Sequence, residues 1–348
     1  MRLSRRLFLI GGGATAAATI LAERTFARPR AAANVLPIDL TARPIDHLSV
    51  TEQGQSRFGD LLFRGGLDLR SSESRFGGFS SLWRSANGQR LVSVADNAQW
   101  LTARVETADG RLSGLSDAKL APLLAWSGKP LGETRYYDTE SLTIANGVAY
   151  VGVERKHAIM RFDWGADGVA AKASPVKLPE DIREHIKDLP NNQGLEAIGV
   201  APPRSPLAGA LVAIAERARK HDKPTRGFIV TGSRVGEFSV RRSDDYDISD
   251  LAFLPSGEML LLERQFSLFR GFRVRLRRVA ADVLRPDAEI DGAVIFESEA
   301  SHEIDNMEGL AVHQDAGDTV LSLISDNNFS PLQRTLLLEF SLAAGKSA

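Results

Sequence analysis

The chain has no cysteine, and that absence removes more chemistry than any other feature of its 348 residues. No disulfide can hold the fold, and thiolate nucleophiles and thiolate metal sites are excluded. Aromatic residues are scarce at 7%, whereas glycines number 30, a balance that suits a turn-rich β protein better than a helical one. Net charge is almost absent. The 43 Lys and Arg against 44 Asp and Glu leave −1, which gives no reason to expect nucleic acid or an anionic membrane surface as a partner. The six histidines show no metal-ligand spacing, since His302-Glu303 lacks a second histidine four residues after the first. No Gly-x-Ser-x-Gly elbow and no phosphate-binding Gly-Lys loop is present, so an α/β-type hydrolase and a P-loop enzyme are unsupported.

Residues 1–33 read as a targeting segment. Ser4-Arg5-Arg6-Leu7-Phe8-Leu9 places a twin-arginine pair before an apolar run, Leu7 to Ala22. That run is about 16 residues, short of the roughly 20 of a membrane span. Ala31-Ala32-Ala33 offers a cleavage site before Asn34, and Thr25-Phe26-Ala27 a second. The pattern resembles a Tat export signal, with an uncleaved N-terminal anchor as the alternative. Export would place residues 34–348 in the periplasm or outside the cell, with the Tat machinery as a transient partner. No stable membrane span is expected after cleavage, and a monomer is the expected form.

What the remaining chain does have is repetition. Gly78-Phe79-Ser80-Ser81-Leu82 leads through Asn87-Gly88 to an apolar strand ending at Asp96. Asp138-Thr139-Glu140-Ser141-Leu142 leads through Asn146-Gly147 to Glu154-Arg155. Gln193-Gly194-Leu195-Glu196-Ala197-Ile198 leads through a proline-rich loop to Glu216-Arg217. Asp247-Ile248-Ser249-Asp250-Leu251 leads through Ser256-Gly257 to Glu263-Arg264. Asp305-Asn306-Met307-Glu308-Gly309-Leu310 leads through Asp315-Ala316-Gly317-Asp318 to Asp326. The aligned residues Leu82, Leu142, Ile198, Leu251 and Leu310 are spaced by about 60, 56, 53 and 59 residues, near the period of propeller blades. Asn-Gly and Ser-Gly midpoints are hairpin turns. The second strands are apolar almost throughout, as in Leu211-Val212-Ala213-Ile214-Ala215, which means cover on both faces. Two further strand-like segments follow each of the first four hairpins.

The pattern predicts an all-β propeller of five four-stranded antiparallel blades, a sixth being the alternative count. The fifth unit lacks a fourth strand, and Asp60 to Leu69 is expected to supply it and close the ring. Leu178 to Pro190 is expected to be an insertion with a short helix, and Arg270 to Arg278 a strand with one solvated basic face. A β-sandwich or two smaller β domains is the rival architecture.

In a radial arrangement the first-strand starts (Ser80, Glu140, Glu196, Ser249 with Asp250, and Glu308) and the second-strand ends (Asp96, Glu154, Glu216, Glu263, Asp326) ring one channel mouth. Carboxylates crowded in this way need cations. Arg155, Arg217 and Arg264 are built-in candidates, and a divalent ion is the other. Oxygen ligands without cysteine favour Ca²⁺. Any single Glu-Arg pair reads first as an inter-blade salt bridge, whereas the ring taken together reads as a site. His157 and His221 follow second-strand ends, and Arg217, Arg219, Lys220, Lys223 and Arg226 make a basic loop.

The chain also resembles the bacterial "esterase-like activity of phytase" family. The residues that carry the resemblance are Phe76-Gly77-Gly78-Phe79-Ser80-Ser81-Leu82, Ser93-Val94-Ala95-Asp96-Asn97 with Trp100-Leu101-Thr102-Ala103, Asn192-Gln193-Gly194-Leu195-Glu196-Ala197, Asp305 to Ala311, and Ser325 to Thr335. The resemblance implies a propeller related to the calcium-dependent β-propeller phytases. The expected activity is Ca²⁺-assisted hydrolysis of a small anionic or ester substrate. Glu140, Glu196, Glu308, Asp96 and Asp326 are the expected metal ligands. Glu308, Asp326 and Arg334 are the expected catalytic groups, with Arg155, Arg217, Arg264 and Asn327 binding substrate. A non-enzymatic propeller with a structural ion, and a lactonase-type propeller, are the alternatives.

Overall fold

A computed structural model describes residues 34–190, 194–218, 220 and 223–343. The expected export signal (residues 1–33) lies outside the described residues, as do Asn192, Gln193, Arg219 and His221. The described chain forms five sheets, antiparallel except for one edge pairing in the third. Their inner strands are Phe79–Arg84, Thr139–Ala145, Leu195–Val200, Asp247–Phe253 and Met307–Asp315, and each touches the next, the fifth returning to the first. The molecule is therefore a closed five-bladed propeller, and no sixth blade is present among the described residues.

The hairpin signals act as expected. Asn146 and Gly147 both take positive φ, 50° and 76°, which is the tight turn that matches strand twist. The core explains why the second strands are apolar on both sides. It falls into five clusters, one between each pair of neighbouring blades. In Leu211–Ala215 of blade 3, Val212 and Ile214 pack towards blade 4, while Leu211, Ala213 and Ala215 pack towards blade 2. In blade 4, Leu261 faces blade 3 and Leu260 and Leu262 face blade 5. Burying one such leucine is worth roughly 1.5–3 kcal/mol, so the ring is held by its interfaces.

The ring closes as the strand count requires. Leu61–Arg70 pairs along Thr335–Leu342 as the fourth strand of blade 5, from Leu69 opposite Thr335 to Leu61 opposite Leu342. Three edge strands were not anticipated. Thr41–Ile45 extends blade 5, Leu36–Pro37 extends blade 1, and Glu289–Ile290 runs parallel at the edge of blade 3. The insertion after blade 2 contains the helix Glu180–Lys187, whose Ile182 and Ile186 cover blade 3.

One expectation is overturned. Strand Gly271–Val279 does not show a solvated basic face, because Arg275 and Arg277 are each 2% exposed. Both bind Glu263, Arg275 at 2.7 Å, and they reach Asp244 and Asp291 beside blade 3. Propeller blades have neighbours on both faces, so a polar face facing an acid becomes a buried inter-blade network.

Candidate functional site at the channel mouth

Each inner strand carries a β-bulge at the same place. The register slips between Phe79 and Ser81, Thr139 and Ser141, Leu195 and Ala197, Ile248 and Asp250, and Met307 and Gly309. The extra residues are Ser80, Glu140, Glu196, Ser249 and Glu308. A bulge re-aims a side chain that strict alternation would send to a blade face. All five positions expected from the repeats are thus bulge positions. The residue after the bulge ties blades together: Ser81 and Ser141 donate to the carbonyls of Leu142 and Leu195, and Asp250 accepts the Leu310 N–H at 2.7 Å. Asp250 is therefore an inter-blade clamp.

The second-strand ends follow from the same register. Residues paired just inside the mouth are Phe79 with Ala95, Thr139 with Val153, Leu195 with Ala215, Ile248 with Glu263, and Met307 with Ser325. The next residues outward are Asp96, Glu154, Glu216, Arg264 and Asp326. This corrects the expectation for blade 4. Glu263 lies one residue too deep and serves the buried arginines, and Arg264 takes the place where the other four blades carry an acid.

Arg264 acts as the internal counter-charge. Its guanidinium lies 2.9 Å from Glu308 Oε1 and 3.7 Å from Glu216 Oε1, and it donates to Asn306 Oδ1 at 2.8 Å. Asn306 in turn donates to Glu308 Oε1 at 2.7 Å. Burial opposes the arginine's charge, yet Glu308, Glu196, Glu216 and Glu140 together raise its pKa.

One guanidinium does not balance the ring. Burial first, with Glu308 and Asp138 adding to it, pushes Asp96 up to about 6. Burial takes Glu154 to about 7, with Asp138 and Glu216 reinforcing it. Asp326 reaches about 8 through burial and then the charges of Glu308 and Asp96. Burial and neighbouring acids put Glu140 and Glu196 well above the ordinary carboxylate range, and Glu216 is raised by burial in spite of Arg264 and Arg217. Ligand-capable oxygens of Asp138, Glu140 and Glu154 lie within 4.8 Å of one another. Asp96 Oδ1 and Ser249 Oγ are buried without a hydrogen-bond partner. An all-oxygen, acid-rich cluster with orphaned buried oxygens fits a hard divalent cation.

The other expected site residues lie at the rim or outside it. Arg155 pairs with Asp138 and stacks over Tyr137 at 5.3 Å. Arg217 bridges Asp247 at 3.1 Å and Glu216 at 3.6 Å. The Asn327 amide oxygen accepts the N–H groups of Gly78 and Phe329, both at 3.1 Å, so it serves the loop's own structure. Arg334 turns away from the ring, bonding Glu303 at 2.6 Å in the crevice beside the edge strand Thr41–Ile45. His157 turns towards Leu189 in the insertion.

Asp138 and Phe329 were missed as site residues. Asp138 was visible as the first residue of its repeat. Phe329 is seen only in three dimensions. It is a bulky residue held at φ 50°, and it packs on Gly78. Gly77 and Gly78 both have positive φ. A Cβ on Gly77 would lie 2.4 Å from Asn327 Oδ1, and one on Gly78 would lie 2.5 Å from the Phe329 ring and 2.6 Å from Asp96 Oδ1. The diglycine of blade 1 and the loop after Asp326 therefore interlock beside Asp96.

Below the mouth, Leu82, Leu142, Leu251 and Leu310 reach a second cavity of about 590 Å³ on the opposite side of the ring, which contains none of the mouth acids.

A model of the phytase-like family, described as "esterase-like activity of phytase", matches residues 74–329, which include every mouth position. No curated protein matches the chain. Among solved structures, the chain is similar to the PQQ-bound aldose sugar dehydrogenase of Streptomyces coelicolor at 13% identity. That match covers 79% of this chain and 97% of the other, with a TM-score of 0.41. It is also similar to the β-propeller domain of Cps50 (Swd1) from Myceliophthora thermophila at 10% identity, covering 88% and 100%, with a TM-score of 0.38.

Proposed function

We propose that this chain, which belongs to the phytase-like family, is a hydrolase that acts on phosphate or carboxylic esters at the acid mouth with the help of Ca²⁺. The observation that carries the reading is the charge imbalance at the equivalent positions. Two sets of five positions hold seven carboxylates and one guanidinium, and Asp96 Oδ1 is buried without a partner. Glu140, Glu154 and Asp138 would hold an ion on the blade 2 side, and Asp96, Asp326 and Glu308 on the blade 5 side, with Glu196 between blades. A bound Ca²⁺ would supply Lewis-acid polarisation of the ester and a more acidic bound water.

The chain's own residues supply the rest. Arg264 anchors Glu308 and Glu216, which fixes the ring's geometry without substrate. Arg155 and Arg217 stand at the rim, Arg155 tied to Asp138 and Arg217 to Asp247 and Glu216, where they can turn to an anionic group. Phe329, 42% exposed, gives the substrate an apolar wall next to Asp96. A role for Arg334 is limited to the outer crevice, where Glu303 holds it. The export signal of residues 1–33 would deliver the folded protein to a compartment where calcium is available.

A purified-protein screen tests the reading: chromogenic phosphomonoesters, short-chain esters and lactones, each with Ca²⁺ and with chelator. Chelator-sensitive turnover that Glu308→Gln abolishes is the expected result. Chelator-sensitive stability with no turnover on any substrate would instead make the propeller a binding module, and turnover confined to lactones would make it a lactonase.

A further inference from the structure

The connections between second and third strands all emerge on the mouth face. In blades 1 and 2 they are short. In blade 4 the strands Met259–Ser267 and Gly271–Val279 continue beyond the mouth as a two-stranded finger, paired through Ser267 and Gly271. Its apex is Phe266-Ser267-Leu268-Phe269-Arg270. Phe266 is 59% exposed, Leu268 89% and Phe269 99%. The equivalent connection of the adjacent blade 5 carries Phe329 at 42% and Leu332 at 91%. Isolated exposed apolar residues are ordinary. Five on equivalent loops of two neighbouring blades, with Leu268 and Phe269 adjacent at a hairpin tip, are not explained by the fold: only Phe329 packs on a neighbouring blade, at Gly78, and the other four stabilise no blade interface.

We infer that this edge of the mouth face docks on an anionic lipid surface, with Leu268 and Phe269 entering the acyl boundary. Charge and shape support this occupant over a folded protein. Arg270 is exposed at the apex, Lys223 is exposed on the neighbouring blade 3 connection, and residues 265–272 contain no acid. Acids lie at the finger's base, where Gln265 bonds the Asp244 carbonyl and Arg273, opposite Gln265, holds Glu297 at 2.7 Å. The apolar groups sit at separate loop tips, which a fluid surface accommodates and a rigid partner would have to match one by one. Apolar insertion and cation attraction act together in such binding. The strand carries the finger about 10 Å from Arg264 to Ser267, with the turn Leu268 to Arg270 beyond it, so the acid ring lies about a screening length below the apex. The near-zero net charge of the whole chain does not oppose this, because the attraction is local.

Vesicle binding of the full chain tests the inference without any substrate, so its failure leaves the hydrolase reading untouched. Vesicles of phosphatidylcholine alone are compared with vesicles that include phosphatidylglycerol. Because residues 7–22 are themselves apolar, the reporter is local: Phe269→Trp with bromine-labelled lipid. The expected result is quenching of Phe269→Trp in excess of the wild type and stronger binding to the anionic vesicles. The pair Leu268→Ser with Phe269→Ser should weaken binding about tenfold or more at an unchanged melting temperature. No added quenching, equal binding to neutral and anionic vesicles, or unchanged binding of the double variant would overturn it. Loss of a dimer in the double variant, without vesicle binding by the wild type, would assign the surface to self-association and overturn it as well.

Discussion

Arg264→Ala should cost the calcium-free protein more at pH 8 than at pH 5. Arg264 alone occupies a ring position with positive charge, 2.9 Å from Glu308 and 3.7 Å from Glu216. Removing one member of a buried ion pair costs about 3–5 kcal/mol. The arginine side chain is 26% exposed, so solvent screening reduces this to about 2–4 kcal/mol. At roughly 2.1 cal/mol/K per residue, unfolding a chain of this size carries an entropy near 650 cal/mol/K, so each kcal/mol shifts the midpoint by about 1.5 °C. The expected drop is therefore about 3–6 °C by thermal melting in chelator at pH 8. At pH 5 the drop should shrink, because burial raises Glu196, Glu216 and Glu140, which act on Arg264, above the ordinary carboxylate range, and Asp326, which also faces it, has a pKa near 8, so the acids around the arginine carry less charge. Arg264→Lys keeps the charge and should recover part of the loss. A variant within 1 °C of the wild type at pH 8, or an equal loss at both pH values, would refute the assignment of Arg264 as the ring's counter-charge.

Other outcomes follow from the same geometry. Carboxylates whose folded pKa is raised contribute stability that is fully present below about pH 4 and is lost as pH rises through the folded values near 6, 7 and 8. In chelator the melting temperature should fall from pH 5 to pH 8, and saturating Ca²⁺ should flatten that slope; a rise over the same range contradicts the site. Gly78→Ala should be destabilised and should lose ester turnover, because its Cβ would displace Phe329 and Asp96 from a position at φ 66°; kinetics and a melt together check it. Leu67→Ala, in the N-terminal strand that closes blade 5, should cost about 2–5 kcal/mol in denaturant unfolding; a loss under 1 kcal/mol would mean that the closing strand is not integral to the ring.

Much of the fold was legible because its repeat is carried by features that sequence displays: Asn-Gly turns, doubly apolar second strands and a missing fourth strand in the last unit. The bulge positions were found because each lies two residues before an aligned apolar residue. The blade 4 error has a definite origin. Glu263 and Arg264 are adjacent, and matching strand ends by acidity selected Glu263, whereas the hydrogen-bond register selects Arg264. Arg275 and Arg277 read as solvated because alternation marks a polar face without saying what covers it. Leu36–Pro37 and Glu289–Ile290 are too short to show a period, and Pro44 obscured Thr41–Ile45, which is an edge strand where proline is tolerated. The interlock of Gly77-Gly78 with Asn327 and Phe329 joins segments about 250 residues apart, beyond the reach of any local pattern.

Calcium titration of the metal-stripped protein, followed by calorimetry at pH 7.5, tests the central claim most directly. The mouth as described predicts at least one bound Ca²⁺ per chain, with proton release on binding and loss of the heat signal in Glu308→Gln and in Glu140→Gln. No binding heat at millimolar Ca²⁺, or binding that survives both substitutions, would contradict a cation site built from the carboxylates of this ring.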